Sequence, residues 1–390
     1  MLEQKNIRNK KMSIEDCRNK IDDIDSQILT LFHQRMDVVT EIARLKKASH
    51  TSVLNRKRER EILHRVFNNS QNGLGKYSIN LFTTLMELSR AYQREQNSPD
   101  RGMRDELDLI RSRTPEKFPE SALVACMGME GTYGQIACDK LFKVADIVYF
   151  KNFAGVCRAV ADGLCEYGVL PVDNTTSGTV DGVYELMQSG SFNIVRSINL
   201  QISSVLLAKR GTKISDIKEI CSHPQPFKQC SEFIKTLKDV KLTFTESTAA
   251  AAAMVADSDR SDIAAIASRN CRDLCDLDII SSNIQNSDYN YTRFVCISRE
   301  PQIFPGANKI SLIAVLSHQP GTLNSVLSKF SALGLNLTKL ESRPIPGRKF
   351  EYMFYFDFDA SVADQGIAEL LGELRNDSEK FMFLGNYTEL

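Results

Sequence analysis

The sequence predicts a multidomain chain: an all-α segment, then an α/β segment, then an α+β module of ferredoxin-like order. Three observations carry this. Residues 13–96 show helical periodicity and hardly any β-branched alternation. Residues 97–121 are polar and charged and hold three prolines, the composition of a linker. From Ala122 onward, short apolar runs alternate with helical stretches.

Three helices are predicted in the first segment, over about 13–49, 56–69 and 77–96, with "NNSQNGLGK" breaking the second from the third. Heptad spacing in the first helix marks Ile14, Cys17, Ile21, Ile24, Ile28, Leu31, Val38, Ile42 and Leu45 as a buried seam. Residues 122–303 form the second domain, with "ALVACMG", "YGVLPV", "SVLLAKR", "IKEICS", "IAAIAS" and "TRFVCIS" as strands. Residues 309–387 form the third. Its strand 309–317, helix 321–333, strands 336–343 and 350–358, helix 361–375 and strand 380–387 give the order β-α-β-β-α-β.

Composition narrows the function. The 49 basic and 49 acidic residues cancel, so no global field draws the chain to nucleic acid or to a membrane. No stretch approaches a membrane span and "MLEQKNIRNKKM" has no apolar leader region, so a cytoplasmic location is expected. The ten cysteines are scattered through apparent helices and strands and read as reduced thiols. Cys271 and Cys275 lack a second pair or a histidine partner, so no metal site and no cofactor is expected.

Any anion must therefore meet a local cluster. The beat after Leu31 on the heptad seam is Arg35, a residue rarely buried without a partner. One arginine on a seam could snorkel to the surface or pair with a core carboxylate. Arg35 has company, however. Ser89 interrupts the seam of the third helix, Gln93 follows one turn later, Lys46 lies ~20° around the helix from Arg35, and "NRKRERE" supplies Asn55, Arg58 and Glu59. Such residues facing one bundle interior describe a pocket for a small anion.

This set resembles the all-helical chorismate mutase family, with Asn55 standing where the family has aspartate. The resemblance implies that Arg18, Arg35, Lys46, Asn55, Arg58, Glu59, Ser89 and Gln93 bind chorismate. Lys46 and Gln93 would donate to the breaking ether oxygen and Glu59 would meet the ring hydroxyl. A pericyclic rearrangement to prephenate needs no nucleophile, only a gripped conformer and stabilised charge. Arg18 and Arg35 lie ~25 Å apart along one helix, so both can serve one substrate only if helix one spans a homodimer.

In the α/β segment, the informative residues sit where strands end and helices begin, the usual place for anion sites in open α/β sheets. "GMEGTYGQIA", "PVDNTTSGTV", "SHPQPFKQC", "TES" and "NYTRF" occupy such loops. These motifs closely resemble prephenate dehydratase, which implies two α/β lobes with the substrate between them. Thr132, Asn174, Thr175, Ser177, Gln225, Ser247, Thr248 and Arg293 would bind prephenate, with Arg293 on a carboxylate. Thr292 would assist departure of the ring hydroxyl as carbon dioxide leaves, and His223 is a competing general acid. Glu130 and Gly134 depart from the family's first loop, where serine is common at the second position.

Residues 309–387 resemble the ACT domain of these dehydratases, with Gly321-Thr322-Leu323-Asn324 and Glu341-Ser342-Arg343-Pro344 at its two motifs. That implies pairing across a two-fold axis and binding of phenylalanine, an inhibitor, at Gly321, Leu323, Asn324, Glu341 and Ser342. A bifunctional chorismate mutase–prephenate dehydratase acting on chorismate and prephenate, a homodimer or larger, is the expectation. A transport-type binding protein and a nucleic-acid-binding protein are the weaker alternatives, because a leader is lacking and the arginines of "RKRERE" alternate with glutamates.

Overall fold

A computed structural model describes residues 13–49, 56–97, 101–180, 182–188, 193–319, 321–345, 347–348 and 351–390 of the 390-residue chain. It divides into two compact units, Met1–Gly102 and Met103–Leu390.

The first unit holds α1 (Ile14–Ala48), α2 (Arg56–Asn69) and α3 (Gly75–Asn97). Ser13 and Asp16 cap α1 reciprocally: the Ser13 hydroxyl accepts from Asp16 N at 3.1 Å and the Asp16 carboxylate from Ser13 N at 2.9 Å. Asn72 and Gly73, at φ 56° and 75°, turn the chain between α2 and α3. Helix α3 packs against both others. On α1 the buried residues are Val39 and Ala43, one and two turns beyond Arg35, so Arg35 belongs to the face that meets α3. The heptad seam predicted to be buried is instead exposed within the chain: Ile14, Ile21, Ile24, Ile28, Leu31, Val38, Ile42 and Leu45 all face solvent. Length explains this for the N-terminal residues, whereas Val38, Ile42 and Leu45 lie on the outer side of the half whose Val39 and Ala43 are buried. The 35 residues of α1 span ~52 Å against ~35 Å for the 23 of α3, so α3 is too short to cover the N-terminal half of α1.

The second unit opens within α4 (Arg101–Arg113), where a linker is predicted. Met103, Leu107 and Ile110, spaced four and three apart, bury into the core of the C-terminal module, and the Arg375 guanidinium ties Glu106 at 2.7 Å. The prolines at 115 and 119 lie beyond its end. There follow β1 (Ser121–Met127), α5 (Tyr133–Leu141), β2 (Val144–Phe150), α6 (Phe153–Ala161), β3 (Tyr167–Asn174), β4 (Gly178–Thr179), α7 (Val183–Gln188) and β5 (Asn193–Gln201). The chain then crosses to a second lobe: β6 (Val205–Ala208), β7 (Glu219–Ser222), α8 (Pro224–Gln229), α9 (Ser231–Thr236), β8 (Lys241–Phe244), α10 (Thr248–Asp257), β9 (Ile263–Ala267), α11 (Cys271–Leu274) and β10 (Asp278–Ser281). It returns through β11 (Tyr291–Ser298), which inserts antiparallel between β3 and β5.

The C-terminal module is β12 (Lys309–Leu316), α12 (Thr322–Ala332), β13 (Leu337–Pro344), β14 (Tyr352–Asp359), α13 (Ile367–Asp377) and β15 (Ser378–Glu389). Its strand order, β13-β14-β12-β15, is the ferredoxin-like one, with every pair antiparallel. Strand β15 runs on to pair in parallel with β5 through Thr388 and Glu389. Among the described residues the module and the first lobe thus share one 10-stranded sheet, while the second lobe has a 5-stranded sheet of order β10-β6-β9-β7-β8. No described helix is long and apolar enough to cross a membrane.

At the outer end of the second lobe, Thr243, Arg260 and Lys241 hydrogen-bond the Glu219 carboxylate and lower its pKa from the ordinary 4.5 to about 2. A depressed carboxylate stabilises the fold above its unfolded pKa, and that contribution drains away as pH falls toward the folded value. Glu219→Gln is therefore expected to lower stability near neutrality, with the gap to the parent closing between pH 4.5 and 2 in denaturant titrations.

Candidate functional sites

In the helical unit, the Arg35 guanidinium donates to the Leu85 carbonyl at 2.9 Å and to the Ser89 hydroxyl. Burial lowers its pKa from the ordinary value without coming near to neutralising it. Ser89 and Gln93 are buried one turn apart on α3, and Gln93 Nε2 donates to the Ser89 carbonyl at 3.2 Å. Gln93 Oε1 is the one buried side-chain polar atom among the described residues without a hydrogen-bond partner. Glu59 on α2 pairs with Arg90 on α3, a residue that sequence reasoning did not single out. Lys46 is half-buried on α1. Arg35, Ser89 and Gln93 are thus brought together.

Two predicted ligands fall elsewhere. Arg58 lies on the exposed side of α2, its guanidinium 3.4 Å from Glu61, because α2 turns Glu59 rather than Arg58 toward α3. Arg18 is exposed on the uncovered half of α1, 3.6 Å from Glu15. Asn55 lies outside the described residues.

In the second unit, a cleft of about 680 Å³ opens between the lobes. Ser177 and Thr176, from the β3–β4 loop, face Gln225 and Gln229, one turn apart on α8. Gln225 Nε2 donates to Ser177 Oγ at 2.7 Å and Gln229 Nε2 to Thr176 Oγ1 at 3.1 Å, so the lobes touch through neutral amides and hydroxyls. Asn290, at the mouth of β11, completes that wall.

Behind it, Asn174 organises the loop. Its Oδ1 accepts from Thr176 N, Thr176 Oγ1 and Ser177 N at 3.0, 2.7 and 2.9 Å. Its Nδ2 donates to Asn290 Oδ1 at 2.7 Å and to Thr292 Oγ1 at 2.9 Å, with the Tyr291 carbonyl a further acceptor at 3.1 Å. An amide nitrogen only donates, so the Thr292 oxygen accepts here and its own proton is free for another partner. Thr292 is 9% exposed, in a setting where one oriented hydroxyl counts for more than it would in water.

Other predicted ligands are engaged within the chain. The Thr175 hydroxyl donates to the Tyr289 carbonyl and accepts from Tyr291 N, both at 2.9 Å, so it pins β11 to the loop. Thr132 Oγ1 donates to the Met129 carbonyl at 2.8 Å. Ser247 caps α10, accepting from Ala250 N at 3.0 Å, with Thr248 half-buried beside it. His223 caps α8 through a ring nitrogen that accepts from Gln225 N at 3.3 Å.

Arg293 is a correction. Side chains alternate across a strand, so Arg293 points away from the face that carries Thr292. There it bonds Asp173 at 2.8 Å and Asp357 of β14 at 2.5 Å. Burial works against its charge, but Asp357 and Asp173 outweigh it and hold the guanidinium pKa well above its ordinary value. It joins the lobe to the C-terminal module rather than facing the cleft.

Glu341 is engaged within the chain. It accepts from Thr179 Oγ1 of β4 at 2.5 Å and pairs with Lys339 and Arg343 at 2.9 and 2.7 Å. Ser342 lies on the opposite, exposed face of β13, so one ligand cannot meet both residues of a single chain. Gly321 caps α12 at φ 88°, with Leu323 half-buried and Asn324 exposed in the first turn.

The departure at Gly134 has a local cause: a Cβ there would sit 2.7 Å from Cys126 Sγ. Gly134→Ser is expected to destabilise the fold by about 1–3 kcal/mol through overpacking. Cys126→Ala in the same chain should recover most of that, as read from denaturant midpoints.

Comparison with known proteins gives these sites a chemistry. Residues 17–94 match the family model for chorismate mutase type II, and residues 124–302 match that for prephenate dehydratase. The chain is therefore an enzyme of two units, an isomerase followed by a lyase. It is 31% identical over 386 residues to the bifunctional chorismate mutase/prephenate dehydratase of Escherichia coli (strain K12), covering 95% of each chain. The arogenate dehydratase/prephenate dehydratase 2 of Arabidopsis thaliana is 34% identical over 276 residues, 68% of this chain and 72% of the relative. A crystal structure of the prephenate dehydratase of Arthrobacter aurescens in complex with L-Phe superposes with a TM-score of 0.63 at 27% identity, over 68% of this chain and 89% of that one. The chain belongs to the bifunctional chorismate mutase/prephenate dehydratase family.

Proposed function

We propose that the chain converts chorismate to prephenate at the Arg35–Ser89–Gln93 cluster and prephenate to phenylpyruvate in the interlobe cleft, under inhibition by phenylalanine. The observation that carries the dehydratase half is the Asn174 amide, which holds the Thr292 oxygen as an acceptor and so directs its proton outward. Prephenate loses its ring carboxylate as carbon dioxide and its ring hydroxyl as hydroxide, which takes a proton from solvent to become water. The C–C electron pair enters the ring, which becomes aromatic as the C–O bond breaks. A hydrogen bond from Thr292 stabilises the charge developing on the departing oxygen.

The mutase half needs a second copy of the chain. Arg18 is remote from Arg35, and the exposed apolar seam of α1 offers an isologous surface for the same helix of a partner. Mixing and refolding inactive Arg18→Ala and Arg35→Ala chains is expected to restore part of the mutase activity, because a mixed dimer has one pocket with both arginines. Heterodimers without activity would exclude the shared pocket.

For the effector, the support is the left-handed Gly321, whose surroundings leave its backbone open to a ligand, beside the first turn of α12. The L-Phe bound by the Arthrobacter aurescens enzyme supports the same chemistry here. Calorimetric titration of the full chain with phenylalanine, run beside the dehydratase rate with and without Ser342→Ala, tests this. Binding with inhibition that Ser342→Ala weakens is expected; binding without inhibition would remove the regulatory part.

A further inference from the structure

We propose that Lys228 is the counter-ion for the side-chain carboxylate of prephenate, the one retained in the product, and that it sets the preference for a keto acid over its amino acid analogue. The inference rests on the reading of the interlobe cleft as the dehydratase site.

Charge balance leads to it. Prephenate carries two carboxylates, yet the walls of the cleft are almost wholly neutral: threonine, serine, glutamine and asparagine. The nearby arginine that could neutralise an anion, Arg293, is committed to Asp173 and Asp357 on the far face of β11. Among the residues lining the cleft Lys228 is the single permanent cation, and no carboxylate lines it. Its ammonium makes no ion pair among the described residues, whereas its backbone is fixed. Asn286 Nδ2 donates to the Lys228 carbonyl at 3.3 Å, and Asn286 N donates to the Gln229 carbonyl at 2.7 Å. Gln225 and Gln229, on either side of it on α8, hold the opposite lobe. A flexible cation on a clamped helix end, facing a neutral pocket, is placed to meet a substrate charge.

Chemistry selects the carboxylate. A cation on the group that leaves as carbon dioxide would stabilise the ground state more than the transition state, because that charge moves into the ring as the bond breaks. The side-chain carboxylate keeps its charge throughout, so an ion pair to it strengthens binding without opposing the reaction. In the amino analogue of prephenate an ammonium replaces the adjacent keto group and meets Lys228 as a like charge.

The test uses the full chain with Lys228→Gln and Lys228→Arg, assayed on prephenate and on the amino analogue, with phenylpyruvate as product inhibitor. Lys228→Gln is expected to raise KM for prephenate about tenfold with kcat within about threefold, and to raise the phenylpyruvate inhibition constant in parallel. The ratio of kcat/KM for the amino analogue to that for prephenate should rise about tenfold, and Lys228→Arg should restore most of the parent behaviour. An unchanged KM would overturn the proposal. So would a raised KM with an unchanged phenylpyruvate constant, since phenylpyruvate retains only the side-chain carboxylate. Thr292→Val in the same assays keeps the two readings apart: full activity there would fail the cleft itself, while its loss with a silent Lys228→Gln would fail Lys228 alone.

Discussion

Thr292→Val lowers the dehydratase kcat by about 10²–10⁴-fold, the range for losing a positioned proton donor, while KM for prephenate moves little. Valine keeps the branched shape in a strand that is buried at this point, so the fold should survive. Asn174→Ala should reproduce much of the loss by a different route. It frees the Thr292 oxygen from its donor and also releases the Thr176 and Ser177 backbone, so KM rises as well. Mutase rates on chorismate, measured in the same preparations, should be unchanged in both variants. A Thr292→Val enzyme with parent-like kcat would return the role of acid to His223.

Arg35→Ala removes at least about 100-fold from the mutase rate, the scale for losing a charged group that holds the substrate in its reactive conformer. The loss should exceed that of Arg35→Lys, because a lysine cannot reach the Leu85 carbonyl and Ser89 hydroxyl while holding a carboxylate with a planar fork. Dehydratase activity on added prephenate is the control: an equal fall in both activities would mean that the variant misfolds.

Local signals in the sequence went far in this chain. Alternating apolar residues and the glycine at 321 show the element order of the C-terminal module, and the strand ends that carry Asn174 and Thr292 and the helix start that carries Gln225 are marked by turn-forming residues. The interplay of Ser177 with Gln225 could not be read, because it depends on how two lobes meet. Helix α4 was hidden by its company: Met103, Leu107 and Ile110 are a sparse stripe among charges and near prolines, and what covers them begins only at Ile303. Arg293 shows the limit most clearly. Its neighbour Thr292 suggests a substrate role, but Asp357, which claims it, belongs to another module. Gln229 had a signal that was available, since the four-residue step from Gln225 to Gln229 puts both amides on one face of α8.

The sheet shared by the C-terminal module and the first lobe has a consequence for cooperativity. Strand β15 supplies both the last strand of the module and the neighbour of β5, and Arg293 and Asp357 lock the same seam with charges that cannot be stranded separately. Opening the seam would bare a strand edge and leave buried ions uncompensated, a change that typically costs about 3–5 kcal/mol for the ions alone. The module and the lobe should therefore melt as one calorimetric transition, and their amide protons along β5 and β15 should exchange at a common slow rate.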